Sequence, residues 1–137
     1  MEAVLPFVLT VHNYLRFVIL ALGLLGVLRS LVSLGTREAR YMRVDEVLGR
    51  GYSGALDVQA LAGVVLIIGV LGQPEAAPIQ VWIHPAIMLP AVALSHLGRR
   101  FEGRSDRDRH KGQLAIYAGS LALIAVGLAV IGQLRLI

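Results

Sequence analysis

Four long apolar segments, separated by short polar connections, constrain this sequence more than any other feature. They cover about residues 5–28, 55–72, 80–97 and 114–134. A helix of about 20 apolar residues is needed to cross the hydrocarbon core of a bilayer. We therefore predict an all-α fold, in which residues 1–137 form a single domain of four transmembrane helices packed as a bundle.

The charged residues support a membrane location because they are few and clustered. Only 16% of the 137 residues are charged and the mean hydropathy is +0.71, whereas an average soluble domain has about 25% charged residues. Most of the 13 lysines and arginines lie between Arg29 and Arg50 or between Arg99 and Lys111. The net charge of +4 therefore reflects basic connections between the spans. We expect the lipid bilayer as a partner and no nucleic acid.

The same clusters predict an orientation. The connection between the second and third spans, Gln73 to Gln80, contains one charged residue, Glu75, whereas the other two connections are rich in arginine. Because basic connections stay in the cytoplasm, we expect both termini on the outer (periplasmic) side of a bacterial inner membrane. Residues 36–48 are predicted to form a short amphipathic helix on the inner leaflet or, alternatively, a solvated charged connector.

The sequence contains no cysteine, which excludes disulfides, Cys-ligated metal centres and a thiol nucleophile. Any metal or haem must be bound by histidine, methionine or carboxylate side chains. Ionisable side chains at membrane depth are costly and are therefore candidate functional residues. Five stand out: His12, Arg16, Asp57, His84 and His96.

His12 and His84 form the first candidate site. Counted by helical rise, they lie at matched depth near the outer ends of two different spans. One imidazole from each of two helices is the arrangement that binds both axial positions of a haem iron in a bundle. The alternative is that each histidine hydrogen-bonds a neighbouring helix. Met88, one turn after His84, is a third and weaker ligand candidate.

Arg16 lies one turn below His12 on the same helical face. A buried guanidinium needs an anionic partner, and the candidates are a haem propionate and Asp57.

His96 and Asp57 form a second candidate site, at matched depth near the cytoplasmic face. They could hold a second haem, or a quinone headgroup bound by His96 with Asp57 as the proton acceptor. The alternative is an interfacial histidine in contact with water and an aspartate that caps the start of a helix. His110 lies in a run of charged residues, and we expect it to be solvated.

Three segments carry a family resemblance together with His96, namely His12 to Phe17, Leu56 to Gly63 and His84 to Met88. They resemble a family of small four-span bacterial membrane proteins described as cytochrome-b-like. The resemblance covers essentially the whole chain. It implies a b-type haem in a helical bundle, membrane electron transfer, His12 and His84 as axial ligands, and Arg16 and Asp57 as supporting polar groups.

The leading functional hypothesis is a membrane protein that binds haem b between His12 and His84 near the outer face and relays electrons. Its redox partner would be a quinol or a larger complex. Two histidine ligands would close both axial positions and favour electron transfer over oxygen chemistry. Since no catalytic motif is visible, we expect an electron-transfer protein or subunit rather than a stand-alone enzyme. The alternatives are a haem-free accessory subunit of a larger complex, or a homo-oligomeric, proton-coupled transporter that uses Asp57 and His96.

Overall fold

The computed structural model describes residues 4–72 and 77–132, and within these ranges it contains four α-helices and no strand. A 3-10 turn continues the third helix, and all four segments are long and apolar enough to span a membrane. The helices are α1 (Val4–Gly35), α2 (Arg43–Val70), α3 (Gln80–Ser95, followed by the turn His96–Phe101) and α4 (Asp106–Gly132). The predicted all-α architecture with four candidate membrane spans is confirmed.

The helices do not begin and end where the apolar segments do. α1 continues to Gly35 instead of ending near residue 28, α2 begins at Arg43 instead of near residue 55, and α4 begins at Asp106 instead of near residue 114. Residues 133 and 134 of the fourth predicted span, and residues 73–76 of the weakly charged connection, lie outside the described residues.

The amphipathic helix predicted at residues 36–48 is wrong, because residues 36–42 are not helical and α2 begins directly after them. Asp45 explains this boundary, since its carboxylate accepts a hydrogen bond of 2.8 Å from the backbone N–H of Met42. A carboxylate that caps the first turn in this way starts a helix and compensates its dipole.

The helices form a ring in which α1 and α3 each pack against α2 and α4, so that α1 and α3 lie diagonally opposite each other. Tyr52 of α2 connects the other opposite pair of helices, α2 and α4. Its hydroxyl is 2.6 Å from the Ser120 hydroxyl, and its ring meets that of Tyr117 edge to face at 5.2 Å. Ile19, Leu56, Ala91 and Ile124 complete this core.

The buried core occupies only one half of the bundle. We call it the basic half, because it contains the two arginine-rich connections; the other, terminal half contains residues 4–18, 60–72, 77–90 and 128–132. Every described residue of the terminal half is at least partly exposed to solvent. Helices long enough to span the membrane thus enclose a packed interior over only part of their length.

Large apolar side chains cover the outside of the helices. Phe7 is 68% exposed and Leu61 67%, and similar residues continue along all four helices. Such a surface is stable in contact with lipid and aggregates in water. The structure therefore supports contact with a lipid bilayer.

Candidate functional site

His12 and His84 belong to α1 and α3, the diagonally opposite helices, and both lie in the terminal half. That these two histidines act together as ligands stays a prediction.

His84 is oriented by α4. Its Nδ1 is 2.9 Å from the backbone carbonyl oxygen of Gly127, so Nδ1 carries the proton in the neutral ring and Nε2 keeps its lone pair. Histidines that bind metals usually donate their other ring N–H to a carbonyl or carboxylate in this way. His84 thus has the protonation pattern of a ligand.

Gly127 leaves room for the side chains of α3. A Cβ at Gly127 would lie 2.7 Å from Sδ of Met88 and 3.5 Å from Nδ1 of His84, so a larger residue there would displace the end of the Met88 side chain. Met88 therefore contacts the backbone of α4 on the same side as His84. The structure gives it a packing contact, and its role as a third ligand candidate stays a prediction.

His12 lies against α2. The side-chain amide of Gln59 donates a hydrogen bond of 3.0 Å to the backbone carbonyl of His12, and a Cβ at Gly63 would lie 3.5 Å from Cε1 of the imidazole. Nδ1 of His12 and Oε1 of Gln59 are both buried and have no hydrogen-bond partner among the described residues. Buried polar atoms are nearly always hydrogen-bonded. These two atoms would find partners if a bound group lay beside them or if one of the two side chains rotated slightly.

Gln59 is a polar residue of the second span to which the sequence reasoning gave no role in the site. It stands among apolar residues of α2, and its position one turn before Gly63 was the available signal. Its contact with His12 depends on how α1 and α2 pack, which the pattern of one helix does not reveal.

Arg16 is half-buried and lies over the ring of its neighbour Phe17, with 4.8 Å between the guanidinium carbon and the ring centroid. It makes no ion pair within the described residues. Asp57, one of its two candidate partners, binds His96 instead.

His96 and Asp57 do meet, as their matched depths suggested. Nε2 of His96 is 2.8 Å from a carboxylate oxygen of Asp57, and both side chains are about half exposed, at 48% and 46%. The capping alternative for Asp57 is wrong, because α2 begins at Arg43 and places Asp57 in the interior of the helix. The pair lines an open cleft of about 470 Å³ between α2, α3 and α4.

His110 is buried, not solvated as expected, with a relative exposure of 1%. Its Nε2 lies 3.1 Å from the backbone carbonyl of Arg40, and its ring packs 5.1 Å from that of Tyr41. Arg109 covers the other side of Tyr41 at 3.7 Å. Burial raises the pKa of the Tyr41 phenol, which keeps it neutral. The charged run around His110 thus anchors the connection between α1 and α2.

The donor sets within the described residues do not suit a bare metal ion, because no group of three or more histidine or carboxylate side chains comes together there. A haem iron, by contrast, needs only two axial ligands from the protein. The His12 and His84 pair meets that requirement in number and in chemistry.

Comparison with protein-family models, with curated proteins and with solved structures gives no match for this chain.

Proposed function

We propose that this protein is an integral membrane protein that binds haem b between His12 and His84 and relays electrons. The observation that carries the proposal is the position of the two imidazoles, on diagonally opposite helices in the half of the bundle that has no buried core. Cofactors of helical bundles are held in the interior by side chains from facing helices. A flat apolar group between the helices of the terminal half would bury side chains that are now partly exposed.

Each residue of the site has a definite part in this proposal. The Gly127 carbonyl fixes the protonated nitrogen of His84 and leaves Nε2 free to bind iron. His12 supplies the second ligand from α1, with Gln59 beside it. Arg16 offers a positive charge that could bind a propionate, since it has no carboxylate partner within the described residues. When bound, the haem supplies one-electron chemistry, and two histidine ligands favour electron transfer over oxygen binding.

The proposed orientation places the basic half in the cytoplasm and both termini on the periplasmic side of a bacterial inner membrane. The arginine-rich connections support it through the positive-inside rule. The haem would then lie nearer the periplasmic face.

A second candidate is a haem-free subunit of a larger membrane complex. Two contacts favour it, because His84 binds the carbonyl of Gly127 and Gln59 binds that of His12, each joining two helices. Polar side chains join transmembrane helices in this way, at about 1 kcal/mol per hydrogen bond.

Haem content separates the two candidates. The protein would be expressed with haem supplied, purified in detergent, and its reduced-minus-oxidised absorption spectrum recorded. We expect a Soret shift in the wild type and in the control His96→Ala, and its loss in His12→Ala and His84→Ala because each variant lacks one axial ligand. A folded wild-type protein without haem absorption would favour the haem-free subunit.

A further inference from the structure

A cleft of about 470 Å³ opens in the basic half, lined by α2, α3 with its 3-10 turn, and α4. Its volume falls within the range of about 300–1,000 Å³ found for small-molecule sites. Glycines leave this space open: Gly49, Gly54 and Gly98 line the cleft, and a Cβ at Gly54 would meet no atom within 4 Å. None of the residues to which the proposed function gives a part lines the cleft.

Six charged side chains line the cleft, and their formal charges cancel. They are three arginines and three carboxylates, namely Arg50, Arg99, Arg109, Glu46, Asp57 and Glu102. Such a lining offers donors and acceptors without a strong net field. A ligand with one charge attracts half of these groups and repels the other half, whereas a ligand with a positive and a negative group can be attracted by both. The lining therefore suits a zwitterion.

Two of the six side chains have no ion-pair or aromatic partner within the described residues, and they carry opposite charges. These two are Arg99 and Glu102, which lie three residues apart where the 3-10 turn ends. The other four already have partners: Glu46 with Arg50, Asp57 with His96, and Arg109 with the ring of Tyr41. The cleft thus presents one guanidinium and one carboxylate that a ligand can bind.

The cleft is continuous with an apolar surface of α2 and α3, which contact each other least of the neighbouring helix pairs. On α2, Val58 and Leu61 lie four and seven residues after Gly54, on the same face of the helix. On α3, Leu89 lies seven residues before His96, likewise on the same face. Val58, Leu61 and Leu89 are all exposed. A ligand whose headgroup occupies the cleft can therefore lay acyl chains along these two helices toward the terminal half.

We propose that the cleft binds a membrane phospholipid whose headgroup combines a phosphate with a primary ammonium, as in phosphatidylethanolamine. The planar guanidinium of Arg99 suits the phosphate oxygens, and the carboxylate of Glu102 accepts hydrogen bonds from the ammonium. The acyl chains lie along the apolar surface of α2 and α3. The inference goes beyond the proposed haem function and does not depend on it.

Other phospholipid headgroups fit this lining less well. Phosphatidylglycerol brings a phosphate without a cation, so it would leave Glu102 unpaired beside a negative charge. The quaternary ammonium of phosphatidylcholine has no N–H to donate to a carboxylate. A bound phosphatidylethanolamine would also contact both α2 and the turn after α3. Since a ligand that binds only the folded state stabilises it, the thermal stability of the protein should rise with the concentration of this lipid.

Native mass spectrometry of the delipidated, detergent-solubilised protein tests the inference by counting bound lipid molecules. We expect the wild type to bind one phosphatidylethanolamine in preference to phosphatidylglycerol and phosphatidylcholine with the same acyl chains. Glu102→Gln should bind phosphatidylethanolamine about tenfold more weakly, the effect of one lost charge-assisted hydrogen bond, while its binding of phosphatidylglycerol does not fall. Arg99→Gln should weaken the binding of both lipids. The controls Glu38→Gln and Arg100→Gln make the same changes outside the cleft and should bind as the wild type does.

A second pair of variants tests the place of binding. Gly54→Leu would fill the cleft, whereas the control Gly51→Leu adds the same side chain to α2 outside it; neither position has an atom within 4 Å of the new Cβ. Only Gly54→Leu should lose the bound phosphatidylethanolamine.

Equal binding of the three lipids by the wild type would overturn the inference, and so would unchanged binding of phosphatidylethanolamine to Glu102→Gln or to Gly54→Leu. Glycerophosphoethanolamine has the same headgroup without acyl chains, and we expect it not to displace the bound lipid at equal concentration. If it does, the ligand is a soluble zwitterion and not a membrane lipid, which would also overturn the inference.

Discussion

At the scale of single residues, the second nitrogen of an imidazole distinguishes a ligand from a packing residue. A histidine that only joins two helices can use either nitrogen. His84 commits Nδ1 to the Gly127 carbonyl and leaves Nε2 free, as metal-bound histidines do. His12 has a buried Nδ1 without a partner in the described part of the chain. Nε2 of His84 is therefore available for a bond to iron, whereas Nδ1 of His12 lacks, among the described residues, the acceptor that a metal-bound histidine normally has.

Asp45 is the residue on which the start of α2 most depends. It is 5% exposed and accepts hydrogen bonds from Arg29, at 2.7 and 3.3 Å, and from the backbone N–H of Met42. Asp45→Asn removes the charge while keeping the shape. We expect a loss of about 2–3 kcal/mol in the free energy of unfolding, because a half-buried guanidinium then lacks its counter-charge. Denaturant unfolding in detergent, followed by circular dichroism, measures it.

Glu38→Gln is the matched control for that change. Glu38 is paired with Arg40 in the same connection, but both side chains are about 80% exposed. Exposed ion pairs contribute less than about 1 kcal/mol. A similar loss of stability in the two variants would contradict the importance given to Asp45.

At the scale of the helices, the sequence predicted the number of spans but not their ends. Apolar runs end at the first charged residues, whereas helices end where their backbone groups find other partners. Residues 43–54 are therefore helical although they contain charges, because Asp45 caps them and Tyr52 is buried in the core. The burial of His110 was unpredictable for the same reason, since it depends on contact with a distant connection.

The contact between α1 and α4 depends on Gly26. A Cβ at this position would lie within 2.4 to 2.6 Å of the ring of Tyr117, which is buried and cannot move aside. We expect Gly26→Ala to destabilise the protein by about 1–3 kcal/mol through overpacking. Thermal unfolding in detergent provides the measurement.

Gly51→Ala serves as the control, because Gly51 lies within α2 with open space around it. Alanine is the better helix former by up to about 1 kcal/mol, so this variant should be as stable as the wild type or more so. If both alanines act alike, close packing at Gly26 is not what the glycine provides.

At the scale of the whole molecule, the bundle is divided between a basic half with a buried core and a terminal half whose described residues are all at least partly exposed. The pairing of Asp57 with His96 could be anticipated because depth along a helix follows from residue number. The division into halves could not, because it depends on how the four helices pack around Tyr52 and Ser120. The contact of Gln59 with His12 could not be predicted for the same reason.

The proposed orientation can be tested by cysteine labelling, since the chain has no cysteine of its own. Arg37→Cys and Arg104→Cys place thiols in the two basic connections, and Ala77→Cys places one between α2 and α3. In intact bacterial cells a membrane-impermeant maleimide should label only residue 77. Residues 37 and 104 should react after permeabilisation. The reverse pattern would contradict the orientation.

The central claim is that one haem is bound by two imidazoles from opposite helices. Electron paramagnetic resonance of the oxidised, haem-loaded protein tests it most directly, because the spin state of ferric haem reports its axial ligands. We predict a low-spin signal in the wild type and in His96→Ala, and conversion to a high-spin signal in any haem retained by His12→Ala or His84→Ala. A low-spin signal that persists when either of these histidines is replaced would contradict the claim.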